Sequence, residues 1–468
     1  MTDILIKNAL KTVTMNSERE TFSGGHILIK NGVIESIGPE ALDIEVDQVI
    51  DAHGMIVIPG LVNTHHHLYQ SLTRNIPLMQ DQELFPWLQN HYEVWRELDE
   101  EAIDVSTRIG LIELMMSGAS TVADHLYLFP EKTEKNLIDV EIEAARSLGV
   151  RFHPTRGSMS LGRSQGGLPP DDVVQDEKAI QADIHRLLRD YHEESAGAMV
   201  SISLAPCSPF SVTESLMRWT ADFALENDIH IHTHLAETLD EEEFCLANFG
   251  KRPLGYAKHL GWLNRNAWFA HSVFVSEAEI VQMGKAEVGV SHCPSSNMRL
   301  GSGIAPIREM LDSGVKVSLG VDGSASNDSG NLLAEMRNAL LISRLRPKEY
   351  WLSAEDVLEM ATLGGARVLG RSDIGSLEPG NRGDVAIFDL RQIAHAGSLS
   401  DPVASLVFTS RLTAVDYLII EGEPKIQGGK YAGALQPIVD RHNELSHELI
   451  QRASIHSGID FFRKGGRD

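Results

Sequence analysis

Histidines and carboxylates follow short apolar segments at four places in this sequence. Side chains alternate between two faces of an extended segment, so His65 and His67 are predicted to point one way and His66 the other. Two imidazoles on one face can share a metal ion. A third histidine and a carboxylate from other segments would complete a site suited to Zn²⁺ or Fe²⁺, with water at an open position. The candidate residues are His65, His67, His234, Glu237, His271 and Asp322.

Glu237 stands three residues after His234. If His234 ends a strand, Glu237 falls in the following turn, where it could reach a substrate atom beside the metal without being a ligand. We therefore interpret Glu237 as an acid/base group, the alternative being a helix N-terminal residue that interacts favourably with the helix dipole. The acidic stretch Asp240–Glu243 is interpreted as a solvated helix face.

Eight apolar segments that resemble strands alternate along the chain with amphipathic segments such as Glu101–Met116 and Leu216–Asn227. This alternation predicts a (β/α)8 TIM barrel of the α/β class, in which the strand ends carry the catalytic groups. A doubly wound open sheet remains the alternative at this point. The predicted strands are Ile56–Ile58, Ala119–Asp124, Val150–Thr155, Val200–Ala205, Ile229–His234, Ala267–His271, Val288–His292 and Val315–Val321.

Both ends of the chain have the pattern of a small β domain. Asn31-Gly32 between apolar runs predicts a hairpin, and short apolar runs with turn residues return after Gly375. We therefore expect residues 1–59 and 370–435 to form one β-sandwich and residues 60–369 to form the barrel. Residues 436–468 are expected to form a C-terminal extension, helical over Gln436–Lys464.

Composition limits the class of protein. The 468 residues include 41 Lys and Arg against 66 Asp and Glu, a net charge of −25, which argues against a nucleic acid polymer as partner. The three cysteines, Cys207, Cys245 and Cys293, are too few for a disulfide framework and indicate a reducing compartment. With no apparent signal peptide or membrane-spanning run, we expect a cytoplasmic protein with no membrane partner.

The motif Pro59-Gly60-x4-His65-x-His67, together with His234-x-x-Glu237, His271 and Asp322, resembles the amidohydrolase superfamily over nearly the whole chain. Within it, the sequence is most similar to the aminohydrolases of purines, pterins and s-triazines. The segments 156–162, 164–170, 204–210, 292–303 and 322–328 resemble in particular the members that act on 8-oxoguanine.

This resemblance implies one divalent metal per chain, Zn²⁺ or Fe²⁺, with N and O ligands from His65, His67, His234 and Asp322. It implies that Glu237, His271 and Asp322 carry the proton transfers. Binuclear members have a bridging lysine at the end of strand four, and no lysine occurs from Ala179 to Gly250 here. A mononuclear site is therefore expected. The resemblance also implies a homo-oligomer.

The expected reaction is hydrolytic deamination of a free N-heterocyclic base, with 8-oxoguanine favoured. Isoxanthopterin, guanine, S-adenosylhomocysteine and s-triazines are the alternative substrates, and a non-catalytic binding protein is the alternative class. For three of the candidate substrate-binding residues we also weigh a plainer role: helix packing for Trp95, an inert thiol for Cys207 and a salt bridge for Arg299. The candidates are Gln70, Trp87, Trp95, Tyr127, Cys207, Asn297 and Arg299.

Overall fold

The computed structural model describes residues 2–133, 136–409 and 414–464. Residues 1 and 410–413 of the predicted β domain, and 465–468 of the predicted extension, lie outside the described residues. The strands are β1 (Ile4–Val13), β2 (Thr21–Lys30), β3 (Val33–Gly38), β4 (Gln48–Asp51), β5 (Met55–Pro59), β6 (Leu61–Asn63), β7 (Ala119–Leu126), β8 (Arg151–Ser158), β9 (Ser203–Pro206), β10 (Ile231–Leu235), β11 (Ala267–His271), β12 (Gly289–His292), β13 (Lys316–Leu319), β14 (Val385–Asp389), β15 (Tyr417–Ile420), β16 (Glu423–Gln427) and β17 (Lys430–Tyr431).

The α-helices are α1 (Leu84–Trp95), α2 (Glu100–Met116), α3 (Leu137–Leu148), α4 (Glu177–Tyr191), α5 (Glu214–Asn227), α6 (Leu239–Phe249), α7 (Pro253–His259), α8 (Glu277–Lys285), α9 (Pro294–Arg299), α10 (Ile307–Asp312), α11 (Leu332–Ser343), α12 (Ala354–Met360), α13 (Leu363–Val368), α14 (Pro402–Phe408) and α15 (Leu435–Ser457). A 3-10 helix, Leu68–Thr73, follows His67. The predicted helices Glu101–Met116 and Leu216–Asn227 correspond to α2 and α5.

In the described part of the chain, eight parallel strands, β6 to β13, pair in sequence order. The two edges of this sheet meet beyond the strand ends. There the N–H of Thr64 donates to the carbonyl of Leu319 at 3.1 Å, and the N–H of Asp322 donates to the carbonyl of His65 at 3.1 Å. Sequential order and joined edges confirm the barrel and exclude the open sheet, whose strand order reverses.

The prediction of Ile56–Ile58 as the first barrel strand is wrong. That segment lies in β5, which pairs antiparallel with β14 and parallel with β1, and the barrel begins with β6. At the junction the N–H of Gly60 donates to the carbonyl of Asp384 at 2.9 Å. Both β5 and β6 are short, apolar and buried, so composition does not distinguish them and only the strand partner decides.

Both chain ends contribute to a second, mixed sheet, which has nine strands within the described ranges. Strands β1 to β5 come from the N-terminal end and β14 to β17 from the C-terminal end, with β5 between β1 and β14. Asn31 and Gly32 have φ of 49° and 75° and join β2 to β3 through the pair Lys30 and Val33, which confirms the predicted hairpin. The boundaries of the domains remain a prediction.

The buried guanidinium of Arg151, on β8, ties the barrel to the terminal sheet. Its Nε lies 3.1 Å from a carboxylate oxygen of Asp384, and it also pairs with Glu421. The side chains of Arg151 and Asp384 are 0% and 2% exposed. A desolvated ion pair of this kind is costly to break from one side only, because the remaining charge is left buried.

The C-terminal helix α15 packs against α1, α2 and the 3-10 helix that follows His67. The hydroxyl of Ser71 lies 3.0 Å from the Nε2 of His442, and the hydroxyl of Ser446 donates to the carbonyl of Leu72 at 2.6 Å. The helix ends at Ser457, earlier than predicted, because Gly458 adopts a left-handed conformation with φ of 73°. No helix within the described ranges is long and apolar enough to cross a bilayer.

Candidate metal centre

The four side chains expected to bind a metal converge at the carboxyl end of the barrel. The Nε2 atoms of His67 and His234 lie 3.1 Å apart. One carboxylate oxygen of Asp322 lies 3.3 Å from the Nε2 atoms of both His65 and His67. His65 and His67 follow β6, His234 is in β10, and Asp322 lies beyond β13, so barrel closure is what brings them together.

The hydrogen bonds of His67 and His234 fix their tautomers. The Nδ1 of His67 lies 2.7 Å from the carbonyl of His125, and the Nδ1 of His234 lies 2.7 Å from the carbonyl of Cys207. A carbonyl only accepts, so both Nδ1 atoms carry the proton and both Nε2 atoms present a lone pair. This is the second-shell arrangement that orients histidine ligands.

A histidine chain fixes His65 in the same way. The Nδ1 of His232 donates to the carbonyl of Trp268 at 2.9 Å, so its Nε2 accepts from the Nδ1 of His65 at 2.7 Å. Among the described residues, the buried Nε2 of His65 then has no hydrogen-bond partner. The lone pair of this nitrogen lies close to the lone pairs of His67 and His234 and to the Asp322 carboxylate. A bound cation would satisfy all four groups.

Burial favours the neutral form of the His65 and His234 rings. It lowers the pKa of His234 to about 3 and holds the pKa of His65 well below its ordinary value of 6.5. Neutral imidazole is the form that binds metals, and three imidazoles with one carboxylate suit a borderline divalent ion. The neighbouring His66 has another role, since its Nδ1 accepts the backbone N–H of His67 at 2.7 Å.

His125, at the end of β7, is a site residue that the sequence analysis missed. Its ring stacks on that of His234 with centroids 5.0 Å apart, and its Nε2 donates to the carbonyl of Ala205 at 2.9 Å. It lies near enough to His65, His67 and His234 to belong to an alternative group of metal-binding side chains. The sequence did offer a signal for it, because His125 directly follows the predicted strand Ala119–Asp124.

Next to this cluster, two groups are placed to handle protons. The Nδ1 of His271 donates to the side-chain oxygen of Asn297 at 2.9 Å. Its Nε2 therefore faces Glu237 at 3.5 Å and the second oxygen of Asp322 at 3.8 Å. Burial raises the pKa of Glu237, which favours a protonated carboxyl able to donate.

Backbone strain concentrates in the same place. Ala236, His271 and Asp322 adopt left-handed conformations with φ of 56°, 70° and 62°. Such conformations are unfavourable for residues other than glycine and persist where the surrounding structure enforces them, which is often at functional sites. The strained positions are therefore consistent with side chains that are aimed by the backbone.

The cavity above the cluster is lined mainly by apolar and aromatic side chains. Of the seven predicted substrate-binding residues, Gln70, Trp87, Tyr127 and Cys207 line it. Burial raises the pKa of the Cys207 thiol to about 12, so the thiol is protonated. The full lining is His67, Gln70, Leu84, Trp87, Leu88, Tyr92, Tyr127, Cys207, Phe210, His234, Glu237, His271, Leu300, Asp322 and Ser326.

The other three predicted residues lie outside this lining. Trp95 is buried and donates from its indole N–H to the hydroxyl of Thr73 at 3.1 Å. Asn297 holds His271, as described above. Arg299 pairs with Asp328 at 3.3 Å, which is the salt bridge considered as its plainer role. A direct contact of these three with substrate therefore stays a prediction.

Two polar atoms in the cavity wall have no hydrogen-bond partner among the described residues. They are the side-chain oxygen of Gln70 and the hydroxyl of Tyr92, both buried. Leaving such groups unpaired is costly, which favours a ligand that satisfies them. Tyr92 was missed because it lies inside the amphipathic helix α1, where an aromatic residue usually indicates packing.

The expectation that Asp240–Glu243 is a solvated helix face is wrong at Glu241. That side chain is 1% exposed, whereas Glu243 is exposed. The signal that could have found it is Thr238-x-x-Glu241, the spacing of a capping box at the start of α6.

The model of the amidohydrolase family matches residues 56–425. The chain belongs to the amidohydrolase family. It is 44% identical to an 8-oxoguanine deaminase of Pseudomonas aeruginosa over 95% of this chain and 98% of that protein. It is 35% identical to an isoxanthopterin deaminase of an unknown prokaryotic organism, over 90% of this chain and 91% of the relative.

Solved structures of family members agree with the fold. An atrazine chlorohydrolase from Arthrobacter aurescens, solved in complex with zinc, superimposes with a TM-score of 0.89 at 34% identity, over 95% of this chain and 99% of that one. As an amidohydrolase, this chain is a hydrolase that acts on C–N bonds of small heterocycles. Its histidine and aspartate cluster is a site for a divalent metal.

Proposed function

We propose that this amidohydrolase deaminates a free N-heterocyclic base by hydrolysis, and that the base is 8-oxoguanine. The products are then urate and ammonia. The relative that is an 8-oxoguanine deaminase supports this choice, since its identity of 44% exceeds the 35% of the isoxanthopterin deaminase. Isoxanthopterin, guanine, S-adenosylhomocysteine and s-triazines remain the competing substrates.

The observation that carries the proposal is the composition of the cavity floor. His67, His234 and Asp322 line it, with Glu237 and His271 beside them. The Nε2 of His65 joins this group 3.3 Å from Asp322. Among the described lining residues there is no lysine or arginine to pair with a phosphate or carboxylate. A small uncharged ring with a hydrolysable amino group fits such a cavity better than a nucleotide does.

The metal-binding residues we propose are His65, His67, His234 and Asp322, holding one Zn²⁺ or Fe²⁺ per chain. A divalent cation at this position lowers the pKa of water toward about 7 and so makes it nucleophilic at neutral pH. His271 is left out of this set because its Nε2 lies between two carboxylates, at 3.5 Å and 3.8 Å. That position suits proton transfer.

The residues then divide the proton transfers among themselves. Asp322 and His271 accept the proton of the attacking water as its oxygen bonds to the amino-bearing ring carbon. Glu237 donates a proton to the adjacent ring nitrogen, where negative charge develops. Asp322 returns a proton to the amino group, the C–N bond breaks and ammonia leaves. The proton of the added hydroxyl passes to Glu237 as the ring carbonyl forms, which restores both carboxyl groups to their starting states. One water is consumed and no electrons are exchanged with a co-reactant.

For substrate recognition we propose the four cavity residues Gln70, Trp87, Tyr127 and Cys207, with Tyr92 added. The unpaired oxygen of Gln70 can accept from a ring N–H, and Trp87 offers an aromatic face to a planar ring. The cytoplasmic location, the homo-oligomeric state and the absence of nucleic acid or membrane partners also belong to the proposal.

A panel of free purines, pterins and s-triazines, assayed for ammonia release by the purified metal-loaded protein, tests the substrate. We expect the highest kcat/KM with 8-oxoguanine and stoichiometric urate. Turnover of another ring with no activity on 8-oxoguanine would reject the substrate. If protein with a full metal complement released ammonia from none of these rings, a non-catalytic binding protein would be favoured.

A further inference from the structure

We infer that Glu241 is a positioning residue for Glu237, acting through the backbone of the turn between β10 and α6. The inference rests on the proposed function, in which Glu237 donates a proton. It concerns a side chain on the first turn of α6 that does not line the cavity. Glu241 would therefore influence catalysis without touching substrate.

Glu241 binds two consecutive backbone amides. One carboxylate oxygen accepts the N–H of Ala236 at 2.8 Å, and the other accepts the N–H of Glu237 at 2.8 Å. Both bonds are buried, where a hydrogen bond is electrostatically stronger than it is in water. Glu241 thus holds the backbone that carries the Glu237 side chain.

This arrangement departs from an ordinary helix cap. Thr238 is the N-cap of α6 and its hydroxyl accepts the N–H of Glu241 at 3.4 Å. In a capping box, the glutamate at this position would return to the N–H of the N-cap residue itself. Here it reaches one and two residues further back, to Glu237 and Ala236. Its hydrogen bonds therefore go to the turn that carries Glu237 and not to the N-cap residue of α6.

The turn lies beyond the strand pairing of the barrel, so other hydrogen bonds must hold it. Strand β10 ends at Leu235, so Ala236 and Glu237 lie beyond the pairing of β10 with β11. The carbonyl of Ala236 accepts the N–H groups of Val273 and Phe274, each at 2.8 Å. Glu241 accepts the N–H groups of Ala236 and Glu237. Hydrogen bonds therefore hold both the N–H groups and the carbonyl of this turn.

The result is a defined position for the Glu237 carboxylate. Ala236 is left-handed, with φ of 56°, a strained conformation that the clamp by Glu241 helps to maintain. From this turn Glu237 reaches 3.5 Å from the Nε2 of His271 and accepts the hydroxyl of Ser302 at 3.3 Å. Displacement of a catalytic group by about 1 Å can cost on the order of 100-fold in rate.

The test is a double-mutant cycle with Glu241→Ala and Glu237→Gln, measured as kcat on the most active ring of the panel. We expect Glu241→Ala alone to lower kcat on the order of 100-fold with an unchanged metal content. In the Glu237→Gln background, Glu241→Ala should lower kcat little further, because the carboxyl group that Glu241 positions is already absent. Equal losses in both backgrounds would overturn the inference.

Glu243→Ala is the matched control, since Glu243 lies on the same helix and is exposed. It should leave kcat unchanged. Glu241→Gln keeps one acceptor oxygen and should fall between the wild type and Glu241→Ala. If Glu241→Ala fails to fold, the same cycle with Glu241→Gln decides the question.

Backbone hydrogen exchange tests the clamp independently of any substrate. In Glu241→Ala, or Glu241→Gln if needed, the amides of Ala236 and Glu237 should exchange faster while those within β10 keep their protection. Unchanged protection at these two amides would overturn the inference even if the substrate panel succeeds. Faster exchange with a silent panel would reject the proposed function and leave the clamp established.

Discussion

The carboxylate of Glu237 lies 3.5 Å from the Nε2 of His271, and the two side chains are 5% and 1% exposed. His271 is turned toward Glu237 because its other nitrogen donates to Asn297. Asp322 lies on the far side of the same Nε2, at 3.8 Å. One imidazole nitrogen therefore stands between the group proposed to protonate the ring and the group proposed to accept the proton of water.

Glu237→Gln should retain the metal and lose most turnover. The change removes an ionisable proton donor but no proposed ligand, and general acid catalysis contributes about 10²- to 10⁴-fold. Metal analysis and steady-state kinetics on the same preparation check this expectation. Full activity of the variant would show that another group protonates the ring.

Purified protein should carry close to one Zn or Fe per chain, and a chelator should abolish activity that added metal restores. Asp322→Ala should lower the metal content, since it removes the carboxylate that approaches both His65 and His67. Elemental analysis of both proteins measures this. Two tightly bound ions per chain would contradict the mononuclear proposal and favour a role for His125 as a ligand.

Asp384→Ala should destabilise the fold by about 3 kcal/mol, because it removes one of the two carboxylates that pair with the buried Arg151 guanidinium and leaves only Glu421. Urea unfolding measures the loss. Arg441→Ala is the control, since the pair of Arg441 with Glu101 is exposed and screened by solvent, and the change should be far smaller. Equal effects would mean that the buried pair does not hold the two sheets together.

Stability should fall as the pH drops from 7 to 5, in part through His442. Burial and the nearby charge of Arg74 lower its pKa to about 4, below the unfolded value of about 6.5. The unfolded chain then binds the proton first, so the stability present above pH 6.5 is lost as the pH falls. The contribution of His442 is about 2 kcal/mol between pH 7 and 5.

The comparison of wild type with His442→Gln isolates this contribution, because the other histidines titrate in both proteins. The variant should show a shallower decrease in unfolding free energy over the same pH range. Parallel pH profiles would indicate that His442 keeps an ordinary pKa against Ser71.

Gly323→Ala should raise KM about tenfold with little change in metal content. A Cβ added to Gly323 would lie 1.9 Å from the side-chain oxygen of Gln70, so the carboxamide must leave its present position. Loss of one hydrogen bond to the ring corresponds to about 1.4 kcal/mol. Gln70→Ala should have a similar KM. An unchanged KM in both variants would remove Gln70 from the recognition site.

Much of the metal centre could be predicted from the sequence because its residues follow local rules. His65 and His67 share a face through strand alternation, and His234, His271 and Asp322 end segments that alternate with helices. A barrel places all such ends on one side. The three predicted ligand histidines, Asp322 and the acid/base candidates therefore come together as expected.

Other features depended on contacts that no local pattern encodes. Composition does not distinguish Ile56–Ile58 from the true first barrel strand, because pairing with β1 and β14 decides where it lies. Asn297 contacts His271 instead of lining the cavity only because α9 lies beside the end of β11. Similarly, the proton positions on His65 follow from His232 and Trp268, which are far from it in sequence.

The sequence by itself determined the kind of chemistry, since residue types and their spacing set which ligands and acids are available. The tertiary structure alone decided how they are held. Glu241 shows the difference: within an acidic stretch its composition indicates solvent, yet the return of the chain toward Ala236 buries it against two amides. Burial and hydrogen-bond partners are properties of the closed barrel, so they appear only when distant segments meet.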